Sequence, residues 1–300
     1  MSERGEAAQL DQIKAMPKRH EFFVGIDSDG CAFDTMEVKH KECFIPNIIE
    51  FYRLAAVARV ARECAEFVNL YSKHRGINRF PALALTFDLL AQRPEVKRRG
   101  FEVPAITGLR SWTALESKLG NPALEEAVQR TGDPDLTLAL AWSKAVNQAV
   151  DRIVQGVPPF PLVRETLEVL ADKADVAVVS ATPTAALRKE WGEHGLAERV
   201  GLIAGQEVGS KREILAAATS GKYEPQRMLM IGDAPGDLKA AQAVGALFYP
   251  INPGGEDDSW ARFFQEDLPR FLDGGYAGAV MEARVAEFRA LLPETPPWGD

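Results

Sequence analysis

The chain has 300 residues, of which 46% are hydrophobic and 26% charged, a composition typical of a globular protein with one large core and a smaller second unit. Its formal net charge of -8 disfavours a nucleic-acid binder, because such proteins carry basic patches. The three cysteines lack Cys-x-x-Cys spacing, which favours reduced thiols, and we see no apolar stretch of signal-peptide or membrane-span type. We therefore expect a cytoplasmic protein without a nucleic-acid or membrane partner.

The first predicted strand ends in two carboxylates. Residues 1–20 predict a short helical extension, which Pro17 ends. The apolar run from Phe22 to Ile26 then stops at Asp27 and Asp29, which a glycine follows. A buried strand delivers its carboxyl end to the ligand crevice of an open α/β sheet, and the glycine lets both carboxylates face one pocket. Crowded carboxylates repel each other, so the pair predicts a cation such as Mg²⁺, a shared proton, or both.

Residues 36–158 have apolar positions at helical spacing without the alternation of a strand, and they predict an all-helical insert. Within it, Gly132-Asp133-Pro134-Asp135 repeats the Asp-x-Asp spacing, but no apolar strand precedes this segment. We interpret Asp133 as the N-cap of a helix that continues from Leu136. The Asp-x-Asp spacing alone therefore carries little information, and the preceding strand carries the argument.

A polar, basic connector between two predicted helices of the insert runs from Tyr71 to Arg79. Arg75 and Arg79 are the two candidates in it for binding a substrate, because a guanidinium offers several donors in a fixed fork to an anionic or hydroxyl-rich group. A basic connector is more often simply solvated. The sequence leaves both interpretations open.

Strand and helix alternate over residues 159–251, which predicts a parallel sheet covered by helices on both faces. Residues 21–35 add a further strand to this sheet, and residues 252–300 contain helix-like segments that we expect to pack on it. The predicted fold is α/β, with a doubly wound, Rossmann-like parallel-sheet core and an inserted all-helical cap domain over residues 36–158.

Polar residues follow the strands of the second half as well. Ser180 follows one strand, and its hydroxyl can donate a hydrogen bond to a phosphoryl oxygen beside the N-terminus of the next helix. Asp233 follows another strand, and Asp237 stands four residues later, near the start of a helix. Lys211 opens a helix after a Gly-Ser turn, so its ammonium can balance the carboxylates. Mg²⁺ needs oxygen ligands, and Asp27 and Asp233 are our metal ligands on this reasoning.

These residues, in this order and on these strands, resemble the haloacid dehalogenase-like (HAD) superfamily, in particular its phosphatases with a helical cap inserted after the first motif. The motifs that carry the resemblance are Asp27-Ser28-Asp29-Gly30, Ser180, Lys211, and Gly232-Asp233 with Asp237. The resemblance implies that Asp27 is a nucleophile that forms an aspartyl-phosphate and that Asp29 is the general acid and base. It implies that Ser180 and Lys211 hold the phosphoryl group. It also implies a Mg²⁺ site of Asp27, Asp233 and the Asp29 backbone carbonyl, with Asp237 as a further ligand or as a group that orients one.

We therefore expect a Mg²⁺-dependent phosphatase that acts on a small phosphorylated metabolite. Within the family, Asp29 points to phosphoryl transfer, because dehalogenation needs no acid for the leaving group. A phosphomutase resembling β-phosphoglucomutase uses the same chemistry and stays a rival. A phosphonate hydrolase would need a cap lysine, for which Lys39, Lys41 and Lys73 are available, but Asp29 argues against it. A non-catalytic binding module would have no need of these intact positions.

Overall fold

The chain forms two compact units, which we describe separately. The computed structural model describes the backbone of residues 3–298 and the side chains of residues 8–298. The α/β unit consists of the residues up to Thr35 and of Gly156–Leu292. The helical unit consists of Met36–Gln155 and the residues from Pro293 onwards. The insert predicted from the sequence thus corresponds to a unit with its own core.

The α/β unit contains a five-stranded parallel sheet with the strand order β3-β2-β1-β4-β5. Its strands are β1 (Phe22–Ile26), β2 (Ala174–Val179), β3 (Leu202–Ala204), β4 (Met228–Gly232) and β5 (Leu247–Pro250). The central strand β1 pairs with β2 on one side and β4 on the other, and all five of its residues are buried. A strand in this position must be apolar along its whole length, as its sequence is.

The α-helices, in chain order, are α1 (Glu3–Ala15), α2 (Met36–Val38), α3 (Ile45–Phe51), α4 (Ala58–Leu70), α5 (Arg79–Gln92), α6 (Pro94–Arg98), α7 (Thr107–Leu115), α8 (Asn121–Thr131), α9 (Pro134–Ile153), α10 (Val163–Leu170), α11 (Thr184–Glu193), α12 (Lys211–Thr219), α13 (Pro235–Val244), α14 (Glu256–Arg262), α15 (Leu268–Leu272) and α16 (Ala279–Leu291). Short π-helical segments join α2 to α3 and α14 to α15. Within the described part of the chain, none of these helices is long and apolar enough to cross a membrane.

Helices cover both faces of the sheet, as the alternation of elements predicts. Alternate residues of β1 point to opposite faces. Val24 and Ile26 pack in one cluster with α10, α11 and the helices after β5. Phe23 packs in another cluster with α1, α12, α13 and α16. The predicted doubly wound parallel sheet is confirmed.

The helical unit has a separate apolar core, in which α9 contributes Trp142 and Val146, and α4 and α5 contribute further buried residues. Asp133 is the N-cap of α9, as predicted, because its Oδ1 accepts hydrogen bonds from the backbone N–H groups of Asp135 (2.8 Å) and Leu136 (3.1 Å). The local sequence therefore gave a correct prediction for the second Asp-x-Asp segment, which is structural.

Helix α13 begins at Pro235, so Asp237 lies in its first turn, near the helix start as expected. Two domain boundaries differ from the sequence-based expectation. The helical unit ends at Gln155, and the chain from Gly156 onwards belongs to the α/β unit. The segment from Pro293 belongs to the helical unit, although we expected all of residues 252–300 to pack on the sheet.

Trp298, the last residue that the structure describes, explains why the segment from Pro293 belongs to the helical unit. The Trp298 ring packs edge-on against Phe67, with 5.5 Å between the ring centroids. The Arg93 guanidinium lies over the same indole at 4.6 Å. A tryptophan buries a large apolar surface, and this contact lies beyond the range of any local sequence pattern.

Candidate active site

The predicted site residues follow the ends of three neighbouring strands. Asp27 comes directly after β1, Ser180 directly after β2 and Asp233 directly after β4. The carboxyl ends of parallel neighbours lie at one edge of a sheet, so the order β2-β1-β4 brings these residues together. This edge is where ligands bind in open α/β sheets.

Three buried carboxylates meet one ammonium at this edge. Asp27, Asp233 and Asp237 each offer an oxygen atom within 4.8 Å of the others. They are 5%, 1% and 0% exposed, so their charges are not screened by bulk water. Lys211 Nζ donates hydrogen bonds to Asp27 Oδ2 (2.6 Å) and to Asp237 Oδ1 (2.5 Å). One ammonium offsets at most one of the three negative charges that these carboxylates can carry.

Burial and charge act in opposite directions on these groups. Burial raises the pKa of Asp237 to about 6, although the ammonium of Lys211 acts to lower it. Burial alone would lower the pKa of Lys211, but the attraction of Asp237 and Asp27 outweighs it and raises that pKa above the ordinary value. Lys211 therefore stays protonated and holds the two carboxylates in place.

The backbone around β4 and α13 positions Asp237. Its Oδ2 accepts a hydrogen bond from the Ala234 backbone N–H at 3.0 Å, as expected for a carboxylate in the first turn of a helix. Gly232 lies directly beneath this side chain. A Cβ atom at Gly232 would stand 2.5 Å from the Asp237 side chain, so only glycine fits.

We expect Gly232→Ala to lower the free energy of unfolding by roughly 1–3 kcal/mol, the cost of forcing an extra methyl group into packed surroundings. The methyl group overlaps Asp237 and must displace it from Lys211. Gly236→Ala is the matched control, because an added Cβ in this part of α13 meets no atom within 4 Å apart from its chain neighbours and the backbone of its own helix. Denaturant unfolding of both variants measures the difference. Equal stability of the two would contradict this account of Gly232.

Asp29 is held by two hydroxyl groups that we did not predict. Thr35 Oγ1 donates to Asp29 Oδ1 at 2.6 Å, and Thr182 Oγ1 donates to Asp29 Oδ2 at 2.8 Å. The chain turns out of strand geometry at Gly30, whose φ is 74°. The two hydroxyls fix both oxygens of the carboxylate, so Asp29 is oriented before any ligand arrives.

Ser28, between the two carboxylates, is fully buried and anchors the loop to α11. Its Oγ donates to Glu190 Oε2 at 2.8 Å and accepts from Trp191 Nε1 at 2.9 Å. Its backbone carbonyl accepts hydrogen bonds from the Ala32 (2.9 Å) and Phe33 (3.0 Å) N–H groups. The sequence signal is a serine at the end of an apolar strand, which our interpretation passed over.

Ser180 is buried at the end of β2, and its Oγ accepts a hydrogen bond from the Thr182 N–H at 3.4 Å. We expected the following helix to offer its free N–H groups to an anion. The structure differs, because the Thr184 N–H at the start of α11 donates to both oxygens of Glu207, at 3.1 and 3.0 Å. A carboxylate of the protein occupies this helix N-terminus, where a negative charge is favourable.

Arg75 and Arg79 both lie in the helical unit and make contacts within it. Arg75 is 2% exposed, and its Nη1 donates to the Leu70 carbonyl at 3.0 Å. Arg79 donates to Ser143 and Asn147 on α9. The solvated-surface interpretation is therefore wrong for Arg75, whereas Arg79 keeps part of its surface exposed. Their proposed contact with a substrate stays a prediction.

Three features together define a hydrolase of the haloacid dehalogenase-like type. They are the parallel sheet, the helical insert that follows its first strand in the sequence, and the carboxylate cluster at the edge of the sheet. Residues 26–245 match the family model described as haloacid dehalogenase-like hydrolase, so the chain belongs to this family. The resemblance inferred from the four motifs is confirmed. No curated protein matches the chain at a significant level.

Solved structures share the fold at low sequence identity. A protein from Lactobacillus delbrueckii subsp. bulgaricus, provisionally named a phosphoglycolate phosphatase, is 12% identical with a TM-score of 0.51, over 85% of this chain and 99% of its own. A predicted phosphoglycolate phosphatase from Haemophilus somnus is 14% identical with a TM-score of 0.47, over 82% of this chain and 97% of its own. At such identities the likeness concerns the fold.

Proposed function

We propose that the protein is a Mg²⁺-dependent phosphatase that hydrolyses a small phosphorylated metabolite through an aspartyl-phosphate on Asp27. The observation that carries the proposal is the buried cluster of Asp27, Asp233 and Asp237 around Lys211 in a chain of this hydrolase family. Carboxylates at the surface are solvated by water, so they would have no comparable need for a cation to balance their charge.

The donor set fits a divalent cation of the hard type. The cluster offers only carboxylate oxygens, which Mg²⁺ prefers, and its excess negative charge matches a divalent ion. Asp27 and Asp233 would hold the ion together with the Asp29 backbone carbonyl. Asp237 accepts hydrogen bonds from Lys211 and from the Ala234 N–H, and it would serve as a further ligand or as a group that orients one. A bound Mg²⁺ would offset negative charge on the phosphoryl group.

The side chains divide the reaction into two displacements. Asp27 attacks phosphorus and forms the P–O bond of an aspartyl-phosphate, while the bond from phosphorus to the leaving oxygen breaks. Asp29 donates its proton to that oxygen, and it later takes a proton from the water that attacks phosphorus and releases Asp27. Ser180 and Lys211 donate hydrogen bonds to the phosphoryl oxygens and stabilise the charge that develops there.

A phosphate-release assay over a panel of phosphate esters, with and without Mg²⁺, tests this proposal. The names carried by fold neighbours make phosphorylated two-carbon acids the first esters to include. Metal-dependent release from at least one ester supports the proposal. Conversion of an ester to its isomer without net release would assign the site to a phosphomutase instead, and turnover of none would contradict the proposal.

We expect Asp29→Asn to slow the hydrolysis of alkyl phosphates by roughly 10²- to 10⁴-fold, the usual contribution of a positioned general acid. The amide of asparagine can accept a hydrogen bond from one of the hydroxyls of Thr35 and Thr182 and donate one to the other, so the loop keeps its shape. Aryl phosphates with a good leaving group need less help from an acid and should lose less. The measurement compares kcat for both classes, and equal losses would argue against the assigned role.

A further inference from the structure

Arg79 is the first residue of α5 and places its guanidinium against α9. Its Nη1 donates to the Ser143 carbonyl (3.2 Å), to Ser143 Oγ (3.0 Å) and to Asn147 Oδ1 (2.8 Å). The guanidinium also lies over the Phe44 ring, 4.8 Å from its centroid. All of these partners are neutral, so they orient the positive charge without balancing it.

Two other arginines of the helical unit are balanced by carboxylates. Arg110 pairs with Asp88 at 2.7 Å, and Arg93 pairs with Glu63 at 2.8 Å and with Glu95 at 2.9 Å. No carboxylate forms an ion pair with Arg79 among the side chains of residues 8–298. Burial lowers the pKa of Arg79 to about 10, so it stays charged at neutral pH.

Two features make the positive charge of Arg79 energetically unfavourable without a counter-charge. Desolvation of a charge without a counter-charge is costly, and the first turn of a helix repels positive charge through its dipole. Helix α5 has no acidic residue in its first turn that would offset either effect. An anion beside Arg79 would relieve both.

The guanidinium also has donors for such an anion. It carries donors on Nε, Nη1 and Nη2, and the hydrogen bonds described above use Nη1 alone. Arg79 keeps part of its surface exposed. The Nε–Nη2 edge is the one that binds a carboxylate through two parallel hydrogen bonds. We propose that Arg79, oriented by Ser143, Asn147 and Phe44, is the binding position for a carboxylate group.

Two parallel donors on the Nε–Nη2 edge match the two oxygens of one carboxylate. The carboxylate can come from two sources. One source is a second acidic group on the substrate, and this alternative rests on the proposed function. The other is a free carboxylate anion that binds independently of turnover. The chemistry of recognition is the same for both.

Calorimetric titration of the chain with malonate, after removal of metal by dialysis and at constant ionic strength, tests the binding position directly. The wild-type chain should bind malonate saturably, and Asn147→Asp should weaken this binding by roughly tenfold or more, the scale of a lost charged hydrogen bond. The new carboxylate stands where Asn147 Oδ1 lies 2.8 Å from Arg79, and it balances the charge in place of the ligand. Asn147 is exposed, so this variant should fold.

Arg79→Gln provides a second variant with the same expected loss, and Arg110→Gln is its matched control. Both changes remove one positive charge from the helical unit, but Arg110 is balanced by Asp88, so its loss should leave malonate binding unchanged. Absence of saturable malonate binding to the wild type would overturn the proposal. The same affinity in wild type and Asn147→Asp would also overturn it.

Kinetics with two esters of equal carbon number distinguish the two sources. If the substrate carries the carboxylate, Asn147→Asp lowers the ratio of kcat/KM for phosphoglycolate over ethyl phosphate by roughly ten- to a hundredfold. If Asn147→Asp loses malonate binding but keeps the wild-type ratio of kcat/KM, the position binds a free anion. Failure of the wild type to hydrolyse any ester would contradict the proposed function, but it leaves the malonate titration valid.

Discussion

Asp27→Asn is expected to fold and to release phosphate at least about a thousandfold more slowly than the wild type, because an amide is a poor nucleophile. The side chain keeps its size, and Asp237 still pairs with Lys211. The variant loses one hydrogen bond. Asp27 accepts from both the Ser28 N–H (2.7 Å) and Lys211 (2.6 Å), whereas an amide can accept at only one end. Initial rates of phosphate release with saturating Mg²⁺ measure the loss.

The second Asp-x-Asp segment supplies a control of identical chemistry. Asp133 caps α9 in the helical unit, and asparagine is an equally good N-cap, so Asp133→Asn should change neither turnover nor stability. Mass spectrometry of the quenched wild-type reaction should also detect a phosphoryl group on the peptide that contains Asp27. Turnover by Asp27→Asn above a tenth of the wild-type rate would exclude the covalent route.

The carboxylate cluster was predictable because each member is tied to a strand by a short stretch of sequence. Asp27 and Asp233 follow apolar runs that can only be buried strands, and parallel neighbours bring their carboxyl ends to one edge. Lys211 and Asp237 occupy the first turns of α12 and α13, and turn residues mark both helix starts. Local pattern and sheet topology together were therefore sufficient for this part of the site.

The support around the cluster was not predictable in the same way. Thr182 and Trp191 act on the Asp27–Asp29 loop through hydrogen bonds from 153 and 163 residues away, and Thr35 acts on it from six residues away. Threonine and tryptophan have many other roles, and no spacing rule distinguishes these. The contacts of Thr182 and Trp191 depend on how the chain after β2, including α11, packs against the end of β1.

The arginines of the insert show a different limit. A run of polar residues between helices predicts an exposed connector, yet Arg75 is buried and Arg79 is held against α9. An arginine can bury its aliphatic stem and satisfy its donors on backbone carbonyls. Composition therefore gives the charge of such a segment but not the direction of its side chains.

Removal of the metal is the second change with a large expected effect. EDTA should abolish phosphate release, and added Mg²⁺ should restore it. Ca²⁺ should restore it poorly, because its oxygen ligands stand at about 2.4 Å in a loose shell, whereas Mg²⁺ holds them at about 2.1 Å in an octahedron. Undiminished activity in excess chelator would remove the metal from the mechanism.

A stability measurement tests the same site without turnover. An ion that binds only the folded chain raises the free energy of unfolding, by roughly 2.7 kcal/mol at a hundred times its Kd. Asp233→Asn should lose this Mg²⁺-dependent gain, while it leaves both contacts of Lys211 intact, since those go to Asp27 and Asp237. In EDTA the variant should be at least as stable as the wild type, because one of three crowded carboxylates has lost its charge. NaCl at equal ionic strength controls for screening, and an equal Mg²⁺ effect on both proteins would place the ion elsewhere.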